Sequence, residues 1–204
     1  MKLWTIQHHD AYKLLIKNGI LNIGEDNILD NCNYKFAYDW MAVELNKKDC
    51  RPKGLRYPIW AWYQWEGKRK KRDMRESGFS KRGDPMVQLE IEIPEEKVLL
   101  SDFDVYHMIL NNGFIFPTVE EVEAFESLYK SQGIKYGDGK FDTLQEEKLE
   151  AVKRLIVDSW AGIFDLTKED DNWLYGKNED KSIQAVFWEL REDQIIWTRE
   201  FISK

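Results

Sequence analysis

Apolar and polar residues along the chain follow two periods, one typical of strands and one typical of helices. A period of two, with β-branched and aromatic residues, predicts strands at residues 4–7, 57–65, 86–93, 182–190 and 194–202. Apolar residues three and four apart predict helices at residues 11–18, 34–46, 101–111, 118–132 and 143–160. The strands therefore lie towards the two ends of the chain and most of the helices in its middle.

The strand at residues 86–93 has the clearest pattern. Its apolar positions alternate with polar ones, Val87, Leu89, Ile91 and Ile93 against Gln88, Glu90 and Glu92. This alternation predicts one face on a core and the other in water.

Capping residues give the helix boundaries. Asp10 is the expected N-cap of the first helix and Gly19 its C-terminal stop, while Ser101 is the expected N-cap of the third helix. Thr118 with Glu121 has the spacing of a capping box, and so has Thr143 with Glu146.

No Gly/Ser linker or shift in composition divides the 204 residues. We therefore expect one α+β domain over residues 1–204, in which N- and C-terminal strands share a mostly antiparallel sheet and several helices pack around it. Hydrophobic residues make up 43% of the chain and charged residues 33%, which excludes a disordered chain.

Targeting and metal signals are absent from the sequence. No apolar run reaches the ~20 residues that span a bilayer, and residues 1–7 lack the features of a signal peptide, so we expect a cytoplasmic protein without a membrane partner. The two cysteines, Cys32 and Cys50, form no metal-binding motif, and we expect no metal site. No glycine-rich phosphate-binding motif occurs, which disfavours dinucleotide folds of the Rossmann type and P-loop enzymes.

A basic segment interrupts an otherwise acidic chain of net charge −7. Between Glu66 and Arg82, eight basic residues stand against three acidic ones, and Lys68 to Arg72 form an unbroken run of five. Two interpretations stay open: a solvated loop tip, or a dock for the phosphates of a nucleotide or RNA whose bases stack on neighbouring tryptophans.

Polar side chains embedded in apolar strands suggest a cleft. These residues are Thr5, Gln7, Gln64 and Gln184. A buried amide or hydroxyl must find hydrogen-bond partners, so each residue either bonds a neighbouring backbone group or faces a pocket.

Several segments together resemble a family of short bacterial and phage proteins of unknown function. They are Trp4-Thr5-Ile6-Gln7, Trp60-Ala61-Trp62, Val98-Leu99-Leu100-Ser101-Asp102-Phe103, Ser159-Trp160 with Ile163-Phe164-Asp165-Leu166, and Ile183-Gln184-Ala185. The resemblance spans nearly the whole chain and implies a single domain.

A more distant similarity is to ADP-ribosyltransferase-like domains. These begin with a short strand that carries a polar NAD-contacting residue, followed by a helix that ends near a glycine and leads into a loop. Thr5 or Gln7, the helix at residues 11–18, and Gly19-Ile20-Leu21 correspond to these features. The resemblance also implies a catalytic glutamate on a late strand, where Glu189 or Gln184 stands.

The residues and the resemblance together favour a nucleotide site. We expect NAD or a related nucleotide in a cleft lined by Thr5, Gln7, Trp62, Gln64 and Gln184. Arg72 or Arg75 would contact the phosphates and Glu189 would be the catalytic carboxylate. The alternatives are a non-catalytic protein that sequesters a nucleotide or inhibits a protein partner in phage–host conflict, and an RNA-binding protein.

Overall fold

A computed structural model describes residues 1–24, 34–74, 76, 78–116, 118–131, 147–170 and 174–204. The described residues group into two compact units, one formed by residues 1–101 and 179–204 and the other by residues 102–178. The fold class is α+β, as predicted. The organisation of residues 1–204 as one domain stays a prediction.

The first unit contains nine strands and two helices in its described part. The strands are β1 (Lys2–His8), β2 (Ile20–Gly24), β3 (Leu55–Tyr57), β4 (Ile59–Gln64), β5 (Pro85–Glu92), β6 (Leu99–Asp102), β7 (Ile183–Phe187), β8 (Glu189–Arg191) and β9 (Ile195–Ile202). The helices are α1 (His9–Asn18) and α2 (Lys35–Lys48).

Two sheets form from these strands. Six strands pair in the order β6-β7-β4-β1-β5-β9, and three pair in the order β3-β2-β8. The larger sheet contains both the N-terminal and the C-terminal strand, so the prediction of a shared sheet is confirmed. Residues 182–190, predicted as one strand, divide between the two sheets at Trp188.

The larger sheet has a core face and an outer face. In register, Leu3 lies opposite Ile91, Thr5 opposite Leu89, and Ala61 opposite Ala185, and these side chains form the core face together with Leu15 of α1. Trp4 lies opposite both Glu90 and Trp62, so the side chains of Trp4, Trp62, Glu90, Gln184 and Trp197 belong to the outer face.

The outer face is not the water-facing surface that the alternation of β5 predicts. Gln88 is buried and its amide donates a hydrogen bond to the carbonyl oxygen of Arg72, at 3.1 Å. The expectation for Gln88 was wrong because the basic segment crosses this side of the sheet, whereas Glu92, at the end of the strand, is exposed as predicted.

Two helix caps differ from the expected ones. The ring nitrogen of His8, not Asp10, caps α1 by accepting from the Asp10 amide, and Gly19 ends the helix at φ 73° as predicted. The next residues continue into β2 and are not a loop. Asp102, not Ser101, caps α3 because its carboxylate accepts from the amides of Asp104 and Val105.

The second unit is helical in its described part. It contains α3 (Phe103–Leu110), α4 (Val119–Ser131) and α5 (Glu147–Ser159), and the Thr118–Glu121 capping box before α4 is confirmed. Thr143 and Glu146, predicted to open α5, lie outside the described residues. Trp160 is fully buried and its indole donates to the Gly113 carbonyl oxygen, which ties the end of α5 to the end of α3. None of the described helices combines the length and apolar character needed to cross a membrane.

Gly67 directly precedes the basic run Lys68 to Arg72 and fixes the direction in which the chain enters it. The residue has φ 69° and its amide donates to the Lys181 carbonyl oxygen at 2.9 Å. A Cβ atom at this position would overlap the carbonyl oxygen of Glu179. Only glycine therefore satisfies both the backbone angle and the close approach of the 179–181 backbone.

Candidate functional site

The larger sheet opens between β1 and β4. Strand β1 pairs with β5 over seven residues, from Lys2 opposite Glu92 to His8 opposite Met86, but it pairs with β4 at one position, Trp4 opposite Trp62. Past this pair, residues of both strands line a common cavity, so the two strands separate there.

Side chains of β1 replace strand pairing where the sheet opens. The hydroxyl of Thr5 donates to the Trp60 carbonyl oxygen at 2.7 Å, and the side-chain amide of Gln7 donates to the Thr5 hydroxyl oxygen, also at 2.7 Å. Thr5 is completely buried, and its two hydrogen bonds satisfy it. Thr5 and Gln7 thus form a short relay along the edge of β1.

The cavity at this opening has a volume of about 600 Å³. Residues of β1, α1, β2, α2 and the start of β4 line it: Ile6, Gln7, Ala11, Leu14, Leu21, Asn22, Ile23, Tyr38, Tyr57, Pro58, Ile59 and Trp60. Leu14 is 52% exposed, so the cavity reaches solvent beside α1. None of these lining residues is charged, and the volume lies within the usual range for small-molecule sites.

Three aromatic residues form one wall of the cavity. The Tyr38 ring packs edge-on against Tyr57 and Trp60, with centroid separations of 6.2 and 5.5 Å. Edge-to-face packing is a favoured geometry and gives the wall a fixed shape. Burial, followed by the neighbouring Asp39 carboxylate, raises the pKa of the Tyr57 hydroxyl, so this hydroxyl stays neutral at physiological pH.

The cations of the basic segment, residues 68–72, lie over aromatic side chains of β4 and β9 and over Trp65. The Arg69 guanidinium is 3.6 Å from the ring centroid of Tyr63, and the Arg72 guanidinium is 3.4 Å from that of Trp65. The Lys71 ammonium is 3.5 Å from the ring centroid of Trp197. At these separations the cations are attracted to the ring faces.

Hydrogen bonds and ion pairs hold the same cations in place. Arg69 donates to the carbonyl oxygens of Lys2 and Tyr63, and burial lowers its pKa. Arg72 donates through two nitrogens to the Glu76 carboxylate, at 2.5 and 3.1 Å, and its side chain is only 13% exposed. The Arg72 guanidinium is therefore bound by groups of the chain itself, and its contact with a phosphate stays a prediction.

Glu90 is the acidic partner of the basic segment on the sheet. Its carboxylate lies 2.8 Å from the Lys2 ammonium and 3.3 Å from the Lys71 ammonium, and it accepts from the Trp4 indole at 3.1 Å. These hydrogen bonds, that from Lys2 first, lower the pKa of Glu90 to about 2. The segment is therefore bound to the sheet through charge as well as through the rings.

The residues predicted from the sequence fall in several places. Gln7 lines the cavity, with Thr5 directly behind it. Trp62 and Gln184 pair with each other on the outer face, where the Gln184 amide donates to the Ser101 hydroxyl. Gln64 donates to the Lys181 carbonyl oxygen, and Arg75 lies outside the described residues. The predicted site residues do not line one common cleft, because neighbouring residues of a strand face opposite sides of the sheet.

Glu189 lies near the cavity but lines a different one. On β8 it stands directly opposite Asn22 of β2, which is a wall residue of the large cavity. Glu189 is also one of the residues of a smaller cavity of about 170 Å³, together with Cys50, Lys97 and Arg191. Among the residues that the structure describes, no group of three or more His, Cys, Asp or Glu side chains is placed to hold a metal ion.

The chain matches a known protein family over almost its whole length. A family model, described as domain of unknown function (DUF3841), matches residues 2–196. The chain belongs to this family. The prediction of an uncharacterised family that spans nearly the whole chain is confirmed. No curated protein and no solved structure matches the chain.

Most wall residues of the cavity were not predicted as site residues. The resemblance to ADP-ribosyltransferase-like domains implies a loop at Gly19-Ile20-Leu21, where β2 begins, although Ile20, Leu21 and Ile23 have the β-branched or bulky side chains that strands favour. Tyr38 lies within the helix predicted at residues 34–46, and that pattern does not mark it as a site residue. The sequence signal for the site was Thr5 followed two residues later by Gln7, since two polar side chains on one face of a buried strand need hydrogen-bond partners there.

The contacts of Arg72 predict a structural role for this residue. Replacing Arg72 with alanine should lower the free energy of unfolding by about 1–3 kcal/mol, because a ring contact and a charge-assisted hydrogen bond are both lost. Exposed Lys68 lies in the same run, and Lys68→Ala should change stability by less than about 0.5 kcal/mol. Denaturant unfolding of both variants measures the difference. Equal stability of the two variants would show that the segment is not held by its ring contacts.

Proposed function

We propose that the chain binds a small nucleotide, with NAD as the leading candidate, and that the ring of the ligand enters the cavity between β1 and β4. The cavity carries this proposal. Its volume of about 600 Å³ accommodates a nucleoside, its aromatic wall suits a planar ring, and Gln7 offers a polar contact. The described lining residues carry no charge, which favours a neutral ring with the phosphates towards solvent.

RNA binding has less support from the arrangement of the rings. Trp62 and Trp65 are two of the tryptophans next to the basic run on which a base could stack. The Arg72 guanidinium, however, occupies the face of Trp65 and lies 5.4 Å from the ring centroid of Trp62. Trp60 belongs to the cavity wall. A cavity open to solvent beside one helix suits a single nucleotide better than a continuous strand.

Blocking the cavity tests the proposal. Ala11 of α1 lines the cavity, and Ala11→Trp would fill part of it without adding charge. Wild-type protein should be stabilised to heat by at least one of NAD, AMP and nicotinamide mononucleotide, and Ala11→Trp should lose that stabilisation. Lys17→Trp, on an exposed position of the same helix, is the matched control and should keep it. Binding that survives in Ala11→Trp would place the ligand elsewhere.

Transfer of ADP-ribose is a second candidate function, and the position of Glu189 favours it. Its backbone is paired with Asn22 of the cavity wall, and directly opposite residues of an antiparallel pair have Cβ atoms about 5 Å apart. In this reaction the bond between the nicotinamide nitrogen and ribose C1′ breaks and its electron pair leaves with nicotinamide. An acceptor nucleophile then bonds C1′ and releases its proton. A carboxylate stabilises the positive charge that develops on the ribose.

The rate of nicotinamide release separates an enzyme from a binding protein. Glu189→Gln should reduce nicotinamide release by about 100-fold or more and leave NAD affinity within about threefold, because the carboxylate acts in the transition state. Glu192→Gln, at an exposed position just after β8, should leave both unchanged. If wild-type protein binds NAD and releases no nicotinamide in the presence of cell extract, the protein sequesters its ligand or inhibits a partner.

A further inference from the structure

The hydrogen bonds at the opening of the sheet fix which end of the Gln7 amide reaches the cavity. The Trp60 carbonyl oxygen can only accept, so the single hydroxyl hydrogen of Thr5 must point to it over their 2.7 Å separation. The Thr5 oxygen is then left as an acceptor for Gln7. Gln7 must therefore turn its NH₂ group towards Thr5, and its Oε1 atom away from it.

The same orientation follows even if the nitrogen and oxygen of the Gln7 amide are exchanged at the start. The reversed amide would set the Gln7 oxygen against a Thr5 oxygen that has no hydrogen left to donate. Two acceptors at 2.7 Å repel, and Thr5 is completely buried, so water cannot relieve the conflict. The backbone carbonyl of Trp60 thus sets the polarity of Gln7 through Thr5.

We infer that the cavity selects a planar heteroaromatic ring that carries an amino-type NH₂ donor, the group shared by adenine and the carboxamide of nicotinamide. This inference rests on the proposed nucleotide function and adds the substrate class. The Gln7 Oε1 atom accepts from the NH₂ group, and the apolar and aromatic walls enclose the ring. A ring without the donor leaves the amide oxygen desolvated and without a hydrogen bond, which costs affinity.

Thr5 acts here as a positioning residue, and Gln7 as the residue that contacts the ligand. Thr5 lies behind Gln7 and is not among the lining residues, so its effect on the ligand passes through the Gln7 amide. The two roles predict different consequences of mutation. Removing the Thr5 hydroxyl frees the amide to rotate, whereas removing the Gln7 amide removes the acceptor itself.

Pairs of ligands that differ at the amino group test the inference by calorimetric titration of the whole chain. AMP is compared with purine riboside monophosphate, which lacks the amino group of adenine. Nicotinamide mononucleotide is compared with nicotinic acid mononucleotide, in which a carboxylate replaces the carboxamide. In the pair whose ring enters the cavity, the ligand with the NH₂ group should bind at least about tenfold more tightly. The pair with the larger ratio identifies the ring.

Variants of the relay separate recognition from folding. Thr5→Val should reduce the affinity ratio to about threefold or less, and Thr5→Ser, which keeps the hydroxyl, should restore it. Gln7→Met keeps the length of the side chain and removes the acceptor, so it should also abolish the ratio even if Thr5→Val fails to fold. Equal affinities within both ligand pairs in the wild-type protein would overturn the inference while leaving nucleotide binding intact. No binding by any of the four nucleotides would overturn the proposed function and the inference with it.

Discussion

The hydrogen bond between the Thr5 hydroxyl and the Trp60 carbonyl oxygen is the constraint on which the candidate site depends. An antiparallel pair normally satisfies such a carbonyl with a backbone amide of the neighbouring strand. Here a side chain satisfies it, so β1 and β4 separate after one paired position without leaving Trp60 unsatisfied. The space between the strands is the cavity, and Gln7 is oriented by the same hydroxyl.

Aromatic residues occur in two different settings on the larger sheet. Along the basic segment, tryptophan and tyrosine rings bind the chain's own arginine and lysine side chains, and the Glu90 carboxylate neutralises part of their charge. Near the opening of the sheet, Tyr38, Tyr57 and Trp60 pack against one another and border empty space. The rings that border the cavity are the ones that we assign to a ligand.

Much of the fold follows from local pattern. The alternation in β5, the period of α2 and the capping box before α4 each specify structure through neighbours a few residues away, and these elements form as predicted. The burial of Gln88 does not follow, because the Arg72 carbonyl that it bonds is 16 residues distant, and neither interpretation of the charged run predicts that this segment covers the sheet. The long aliphatic and planar parts of arginine and lysine make such segments able to cover apolar surface.

The site was predictable only in part, because it too depends on contacts between residues far apart in the sequence. Thr5 and Gln7 stand out because polar side chains on a buried strand need partners, and both do belong to the opening of the sheet. Glutamines at positions 64 and 184 met the same criterion but bond to a neighbouring carbonyl and hydroxyl. Which polar residue borders a cavity depends on where two strands part, and that is a property of long-range pairing.

A crystal structure of the protein with a bound nucleotide is the decisive measurement. We predict a ring between β1 and β4, beside Trp60, with its NH₂ nitrogen about 3 Å from the Oε1 atom of Gln7 and the Thr5 hydroxyl still bonded to the Trp60 carbonyl oxygen. A ring bound on the outer face beside Trp62 and Trp65, or continuous pairing of β1 with β4 that closes the cavity, would contradict it.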